Sequence, residues 1–577
     1  MPSRSGRVHV ATTARHYKGK VYQSHLLRRT FRVGRQVKHE TLGNISHLPP
    51  QLIDLIRRSL AGEAFVPAAE AFLIERSLPH GHVEAVLGSL RQLGLETLIC
   101  SQPCRQRDLV VAMIVERLLH PCSKLATTRL WHTTTLAEEL SVQDCDEEDL
   151  YEALDWLLAR QSRIEKKLAA RHLGEGSVVL YDVTSSYYEG RTCPLARFGH
   201  SRDRKRGLPI IVYGVLTDRV GRPVAVDVYP GDTGDPTTVA DQVEKLRARF
   251  GLTRVVLVGD RGMLTEAQID KLKQHPGLGW ISALKGVAIR ELVEAGSLQL
   301  SLFDQHNLAE ITSPVYPGER LIACFNPLLA EERRRKRGEL LAATEKELEK
   351  IVREVRRRKR TPLGKMEIAL KVGKILNRFK VAKHLALTIE DGLLGWSRRE
   401  ESIRREAELD GIYVIRTSES KQQLSAEDTV RGYKSLAQVE RAFRCLKGID
   451  LRVRPIHHRT ADHVRAHIFL CLLAYSVEWP MRQALAPLLF DDEQLDRDRT
   501  QRDPVAPAEP SRSAKRKKVE RLTSEGFPVH SFATLLKLLG TRCRNTCRIQ
   551  SAPASAAFQQ LTEATSLQAR AFQLLGL

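Results

Sequence analysis

The hydrophobic and polar positions of the chain divide it into stretches of different periodicity. Residues 20–46 alternate in a way that predicts a basic β-hairpin around Gly34, and residues 50–172 follow a helical period. From residue 177 onward, short apolar runs are separated by amphipathic stretches. This second pattern predicts strands at 177–184, 208–217, 223–229, 254–260 and 279–285, with helices at 237–250 and 265–275.

Three consecutive strands followed by alternating strands and helices form the order of the RNase H-like fold. In that α/β fold, crossover connections place the fourth strand beside the first. We therefore expect a mixed five-stranded sheet with helices as a catalytic core, interrupted by an insertion domain. A helical N-terminal region and a helical C-terminal appendage would flank this core.

The same pattern sets the expected domain boundaries. Within the insertion, 300–303 and 320–325 are predicted strands, and 331–360 is a charged helix that would form an arm. The expected regions are a basic β-hairpin region (1–49), a helical DNA-binding or assembly domain (50–172), the core in two parts (173–285 and 410–490), the insertion (286–409), a linker (491–522) and the C-terminal appendage (523–577).

Two of the apolar runs end in an aspartate. These are Ser177-Val-Val-Leu-Tyr-Asp182 and Arg254-Val-Val-Leu-Val-Gly-Asp260. A carboxylate at the end of a buried strand is costly unless a cation meets it. Because the two strands would be neighbours in the expected sheet, Asp182 and Asp260 could share a metal. Taken singly, either aspartate could instead cap a loop.

A third carboxylate lies on a predicted helix that begins after Ser435, the expected N-cap. Leu436, Val439, Phe443 and Leu446 would form its apolar stripe. Tyr433, Glu440 and Lys447 recur every seven residues and so share a second stripe, with Arg444 beside Glu440. A helix packed by its apolar stripe would present these polar groups along one edge.

This combination resembles the DDE transposases of bacterial insertion sequences, in the insertion-sequence-four superfamily with its Tyr-x2-Arg-x3-Glu-x6-Lys signature. Tyr433, Glu440 and Lys447 match that signature, whereas Leu436 replaces its Arg. The segments that begin at Tyr181, Gly259, Asp410 and Arg454 also look like blocks of this family. The resemblance covers residues 100–485.

The resemblance implies a DNA transposase that cuts the ends of its element and joins them to target DNA. Asp182, Asp260 and Glu440 would be both the catalytic residues and the ligands of two Mg²⁺ or Mn²⁺ ions, with Asp182 bridging them. Tyr433 and Lys447 would hold the phosphate near the cut. Arg441 and Arg444 are the candidates for the contact that the missing Arg would make.

Composition and charge agree with a polyanionic partner. Lys and Arg outnumber Asp and Glu by 91 to 69, which gives a net charge of +22. The expected partners are double-stranded DNA, as terminal inverted repeats and target, and a second copy of the chain in a homodimer assembled on DNA. The ten cysteines, with no Cys-x-x-Cys pair, and the absence of a signal or membrane segment favour a cytoplasmic, nucleoid-associated bacterial protein.

Two other functions stay open from the sequence. One is an RNase H-like metal-dependent nuclease or resolvase without strand transfer, and the other is a DNA-binding protein whose catalytic centre has decayed. The pair His463 and His467 has zinc-like spacing, but no third ligand is evident, so a structural or phosphate-facing role is favoured. Asp203 lies in a basic loop and is expected to be solvated. No nucleotide-binding glycine loop is present, which argues against ATP dependence.

Overall fold

The protein is described here by a computed structural model that covers residues 6–63, 65, 72–203, 205–304, 306–549 and 557–577. The chain divides into two compact units. The first consists of residues Met1–Ser77 with Arg544–Thr562, and the second of Leu78–Cys543 with Glu563–Leu577. In the described residues, no helix is long and apolar enough to cross a membrane.

The first part of the chain contains the elements β1 (Arg7–Tyr17), β2 (Lys20–Val33), β3 (Gln36–Asn44), α1 (Pro50–Leu60), β4 (Phe72–Pro79), α2 (Gly81–Gln92), α3 (Leu95–Ile99), α4 (Arg105–Leu119), α5 (Lys124–Leu130), α6 (Leu136–Glu139), α7 (Glu147–Leu158) and α8 (Gln161–His172). The middle part contains β5 (Ser177–Tyr187), β6 (Ile210–Asp218), β7 (Pro223–Pro230), α9 (Val239–Glu244), β8 (Val255–Val258), α10 (Glu266–Lys273), β9 (Leu278–Ala283), α11 (Gly286–Glu294), β10 (Leu308–Ile311) and β11 (Arg320–Phe325).

The last part contains α12 (Pro327–Arg357), α13 (Lys365–Phe379), β12 (Leu385–Glu390), β13 (Leu393–Arg398), α14 (Glu400–Ala407), β14 (Ile412–Thr417), α15 (Ala426–Lys434), α16 (Leu436–Lys447), α17 (Ala461–Leu485), α18 (Leu495–Gln501), α19 (Arg512–Glu520), α20 (Phe532–Leu539), β15 (Cys543–Ile549), β16 (Ala557–Leu561) and α21 (Ser566–Leu575). Single 3₁₀ turns connect several of these elements, and one of them is Leu300–Phe303, where a strand was expected.

The first unit is built on two small sheets. The basic N-terminal segment forms a three-stranded sheet in the order β1-β2-β3, which has one strand more than the expected hairpin. A second sheet has the order β16-β15-β4 and combines strands from both ends of the chain. Sequence periodicity missed this second sheet, because β4 lies inside a helical pattern and its partner strand is several hundred residues away.

The second unit is organised around a mixed eight-stranded sheet in the order β10-β11-β14-β9-β8-β5-β6-β7. The strands β5, β8 and β9 are parallel, whereas β6 pairs antiparallel with β5, and β7 pairs antiparallel with β6. The expected five-stranded sheet is thus longer by three strands. β10 and β11 come from the region expected as an insertion domain, and β14 pairs antiparallel with both β9 and β11.

Helices cover both faces of this sheet. Val179, Tyr181 and Val183 of β5 pack with α9 and α10, while Leu180 packs on the opposite face with α16 and α17. This division follows from the alternation of side chains along a strand. The helices α2, α4 and α7 contribute to the same core as α16 and α17. Much of the helical region 81–172 therefore serves as core of the second unit.

The chain between β11 and β14 has a hydrophobic cluster of its own. It includes Leu348 and Val352 of α12, Ile368 of α13, and residues of β12 and β13. At the base of this excursion, the Arg337 guanidinium donates two hydrogen bonds to the Asp410 carboxylate, at 3.0 and 2.6 Å. This buried, bidentate pair joins the point where α12 leaves the sheet to the point where the chain returns toward β14.

Candidate active site

Asp182 lies in the middle of β5 and not at its end as expected. The strand continues to Tyr187 because its last residues remain paired with β6, as far as the pair Tyr187 and Ile210. The parallel neighbour β8 pairs with β5 only up to Leu180, opposite Val258. Asp182 therefore occupies the position where β5 loses its neighbour on one side.

Asp260 follows β8 in a short turn. Leu180 pairs with Val258 in parallel register. Asp182 and Asp260 each follow two residues later, so they lie at the same level of the sheet. The Oδ1 atom of Asp260 accepts hydrogen bonds from the backbone N–H groups of Gly262 at 3.0 Å and Met263 at 2.7 Å. These bonds fix the turn and leave the side chain at the surface.

Helix α16 presents Glu440 beside these aspartates. The helix packs across β5 through its buried residues Val439, Phe443 and Leu446, as the apolar stripe predicted. Burial of each such side chain contributes about 1.5–3 kcal/mol. Glu440 is exposed at the edge of this packed stripe.

The N-cap expected at Ser435 is not formed. Ser435 has helical backbone angles and joins α15 to α16, and its hydroxyl donates to the carbonyl oxygen of Arg431 at 2.8 Å. An N-cap residue requires extended backbone angles, which Ser435 lacks. Tyr433 consequently lies in the last turn of α15, half-buried.

Electrostatic effects connect the three carboxylates with one another. The pKa of Asp182 is raised to about 7, chiefly by burial and also by the negative charges of Asp260 and Glu440, while the Val183 N–H and Arg202 act to lower it. Burial also raises the pKa of Tyr433 to about 12, again with contributions from Asp260 and Glu440. The structure thus brings Asp182, Asp260, Glu440 and Tyr433 into one electrostatic environment.

Lys447 is held inside the protein by an ion pair with Asp203. Its ammonium donates to the Asp203 carboxylate at 3.0 Å and to the carbonyl oxygen of Ser185, and burial lowers its pKa. Asp203, expected to be solvated, is only 2% exposed and also pairs with Arg454. A further hydrogen bond, from the Tyr187 N–H at 3.0 Å, fixes its second oxygen.

The two arginines of α16 differ in their surroundings. Arg441 donates to the Asp491 carboxylate at 3.1 Å, so its charge is already matched by a partner. Arg444 is exposed, on the same edge as Glu440. Leu436, which stands at the signature Arg position, is half-buried against the core. Arg444 is therefore the better candidate for a DNA contact.

Another group of side chains has metal-like proximity. Within the described part of the chain, ligand atoms of Cys445, Asp450 and Glu478 lie within 4.8 Å of one another, and Asp182, Asp260 and Glu440 form no group as tight. The Arg482 guanidinium donates to Glu478 at 2.6 Å and to Asp450 at 2.8 Å. This cation pairs with both carboxylates, and we interpret the group as a buried ion-pair network that joins the segment after α16 to α17.

His463 and His467 do not face a common ligand. His463 stacks on Tyr151 with ring centroids 4.8 Å apart and contacts Asp155 at 3.3 Å. His467 is buried, and its Nε2 lies 3.3 Å from the Val453 carbonyl oxygen. These contacts support the structural interpretation of the pair.

The neighbouring His458 predicts acid sensitivity of this region. Its pKa is lowered to about 3, chiefly by burial and also by the positive charges of Lys124 and nearby histidines. Because the folded state takes up this proton less readily than the unfolded state, stability is full above pH 6.5 and falls as the pH drops toward 3. At pH 5 the loss is about 2 kcal/mol from this group.

We expect His458→Phe to reduce the fall in melting temperature between pH 7.5 and pH 5, as measured by differential scanning fluorimetry. His275→Gln, at an exposed position, is the control and should behave as wild type. An equal fall in all three proteins would contradict the assignment of acid sensitivity to His458.

Two family models match the chain. Residues 174–477 match the family described as the transposase DDE domain, and residues 10–69 match the N-terminal domain of the IS1634 family of transposases. No curated protein matches the chain. Among solved structures, the piggyBac transposase synaptic complex with hairpin DNA aligns at 8% identity and a TM-score of 0.33, covering 80% of this chain and 76% of that chain.

The first of these matches contains β5, β8 and α16, together with Asp182, Asp260 and Glu440, and it extends over more than half of the sequence. The second match covers the basic three-stranded sheet and α1. The chain therefore belongs to the DDE-domain transposases of bacterial insertion sequences.

Proposed function

We propose that the protein cleaves the ends of its insertion sequence and joins them to target DNA by divalent-metal-dependent phosphoryl transfer. One observation carries this proposal: β5, the turn after β8 and the helix α16 packed on β5 bring Asp182, Asp260 and Glu440 so close that the charges of Asp260 and Glu440 both act on the buried Asp182. Three carboxylates that repel one another around a partly buried position suit a site for cations.

The sheet order supports an RNase H-like core. The strands β7-β6-β5-β8-β9 are neighbours in this order, with β6 antiparallel and β8 parallel to β5. This is the arrangement expected from three consecutive strands followed by crossover connections. We infer that β14, β11 and β10 are additions to that core.

The donor set fits Mg²⁺ or Mn²⁺. Both ions prefer hard oxygen ligands, which the three carboxylates supply. Asp182 and Asp260 each use Oδ1 to accept backbone hydrogen bonds, which leaves their Oδ2 atoms outside those bonds. We propose that Asp182 is shared by two ions and that Asp260 and Glu440 each hold one. Bound ions would activate the attacking oxygen and stabilise the leaving oxygen.

Residues around the carboxylates would hold the DNA. Tyr433, whose pKa is raised to about 12, stays protonated well above neutral pH and can donate a hydrogen bond to a phosphate oxygen. Arg444 is exposed near Glu440 and can pair with a phosphate. Such contacts position the DNA without reading its sequence.

The proposal is tested with purified protein and linear duplexes taken from the DNA that flanks this gene. In Mg²⁺ or Mn²⁺, we expect cleavage at the element end and covalent joining of the new 3′-hydroxyl to a supercoiled target plasmid. Cleavage without any joined product would favour the nuclease alternative. Absence of both reactions on every end duplex would contradict the proposal.

Lys447 gives a separate test of DNA holding. We expect Lys447→Ala to weaken binding of a pre-cleaved end duplex and to lower the slope of log affinity against log salt by about one, because one phosphate contact is lost. Fluorescence anisotropy over a salt series measures both. Lys421→Ala removes one charge at an exposed position and is the control. Unchanged affinity and slope would mean that Asp203 keeps Lys447 as a structural partner in the complex as well.

A further inference from the structure

The β1–β2 hairpin extends beyond the rest of its sheet. β1 pairs with β2 over its whole length, from Arg7 opposite Thr30 to Tyr17 opposite Lys20. β3 pairs with β2 only from Leu26 to Val33. Within the described part of the chain, residues 12–25 therefore form a two-stranded ribbon without a third strand, and every residue from 12 to 23 is exposed.

The tight turn fixes which side chains share a face of this ribbon. Lys18 and Gly19 both have positive φ, at 48° and 74°, as a two-residue turn that matches strand twist requires. The resulting register places Arg15 opposite Tyr22 and Tyr17 opposite Lys20. Since side chains alternate along a strand, these four residues lie on one face, which we call the ribbon face.

The helix of the first unit packs on the other face. Arg57 of α1 donates a hydrogen bond to the hydroxyl of Thr12 at 3.2 Å. Thr12 and Arg15 are three residues apart on β1, so their side chains lie on opposite faces of the strand. Thr12 therefore points away from the ribbon face. The aromatic rings of Tyr17 and Tyr22 remain 55% exposed.

The three-stranded sheet carries a large excess of positive charge. Residues 6–46 contain nine Lys and Arg residues and a single acid, Glu40. Glu40 pairs with Arg29 at 3.9 Å, and both lie on the face opposite Arg15 and Lys20. Toward the rest of the sheet, Arg7, Arg28 and Arg32 continue the ribbon face. The face that α1 leaves open is thus cationic and aromatic, and β1–β3 contribute no acid to it.

We propose that the ribbon face binds the major groove of duplex DNA at the ends of the element. The major groove is about 12 Å wide and admits a two-stranded ribbon. Arg15 and Lys20 would contact phosphates or guanine edges, and Tyr17 and Tyr22 would pack against the sugar-phosphate backbone. This inference rests on the proposed function, because cleavage of the element ends requires the protein to bind DNA there. It places end binding in the ribbon, whereas the sequence had suggested the helical region after residue 50.

The test compares two variants of the full chain that each lose two positive charges. Arg15→Ala/Lys20→Ala changes the ribbon face, and Arg512→Ala/Lys518→Ala removes two exposed charges from α19. Binding is measured by anisotropy without divalent metal, on an end duplex and on a shuffled duplex of equal composition. We expect the ribbon variant to lose about tenfold or more of its affinity for the end duplex, and its salt slope to fall by about two. The α19 variant should lose much less.

A charge-neutral variant gives independent evidence. Tyr22→Ser should weaken binding to the end duplex while leaving the salt slope unchanged, because no phosphate charge pair is removed. Equal affinities of the ribbon and α19 variants would overturn the proposal. So would a change of oligomeric state in the ribbon variant, seen by light scattering, with DNA affinity unchanged, since the ribbon would then contact a second copy of the chain.

The outcomes also separate this inference from the proposed function. If the ribbon variant loses end binding but the wild-type protein cuts no end duplex in Mg²⁺ or Mn²⁺, the ribbon inference stands and the proposed catalysis fails. If the wild-type protein cuts and joins ends while the ribbon variant binds them normally, only the ribbon inference fails.

Discussion

Replacing any one of Asp182, Asp260 and Glu440 by its amide is expected to abolish cleavage of end DNA. The loss should be about 10²–10³-fold or more, because the group acts on charge that develops in the transition state. DNA affinity should stay within about twofold, since it depends on the many Lys and Arg contacts. Cleavage assays and anisotropy on the same duplex measure both quantities.

Asp144→Asn is the matched control, because it removes an exposed carboxylate between α6 and α7, elsewhere in the second unit. Wild-type protein and this control should gain melting temperature on addition of Mg²⁺ or Mn²⁺, whereas Asp182→Asn should gain little, since a ligand that binds the folded state stabilises it. Loss of DNA binding in parallel with cleavage would instead indicate that the carboxylates are needed for folding.

Removing the excursion between Arg337 and Asp410 is expected to abolish assembly of a complex that holds two DNA ends. Over residues 341–406, Lys and Arg exceed Asp and Glu by 18 to 10, and this stretch has its own hydrophobic cluster. A short linker in its place keeps the Arg337–Asp410 pair, so the sheet should survive. Binding of one end should persist, while the paired-end band in a native gel should disappear.

A smaller change tests the same role in paired-end assembly without the risk that a deletion variant misfolds. The turn between α12 and α13 carries exposed Arg357, Lys359 and Arg360. Replacing these three by Ala should weaken paired-end assembly without altering the melting temperature, because their side chains lie in solvent. A paired-end complex of normal yield in both variants would show that the excursion has no part in assembly.

Local periodicity was sufficient to find the strands β5–β9 and the helix with Glu440, because each of these elements buries its own apolar stripe. It could not place Asp203. That carboxylate is buried by Lys447 and Arg454, which are 244 and 251 residues away, and no local signal encodes such a pairing. The start of β5 at Ser177 was predicted correctly, but its C-terminal end was placed too early for a related reason, since a strand continues as long as a neighbouring strand pairs with it.

The sheet β16-β15-β4 has a consequence for the order in which the protein can form. β4 ends at Pro79, but its partner β15 begins only at Cys543. At about 5–20 residues per second, a ribosome needs roughly half a minute or more to make the chain between them. The β1–β3 sheet and α1, which are local in sequence, can fold well before that. A product of translation interrupted before Glu440 would thus carry the ribbon without the strands that complete its unit and without the third carboxylate, and under the ribbon proposal it would occupy element ends that it has no means to cut.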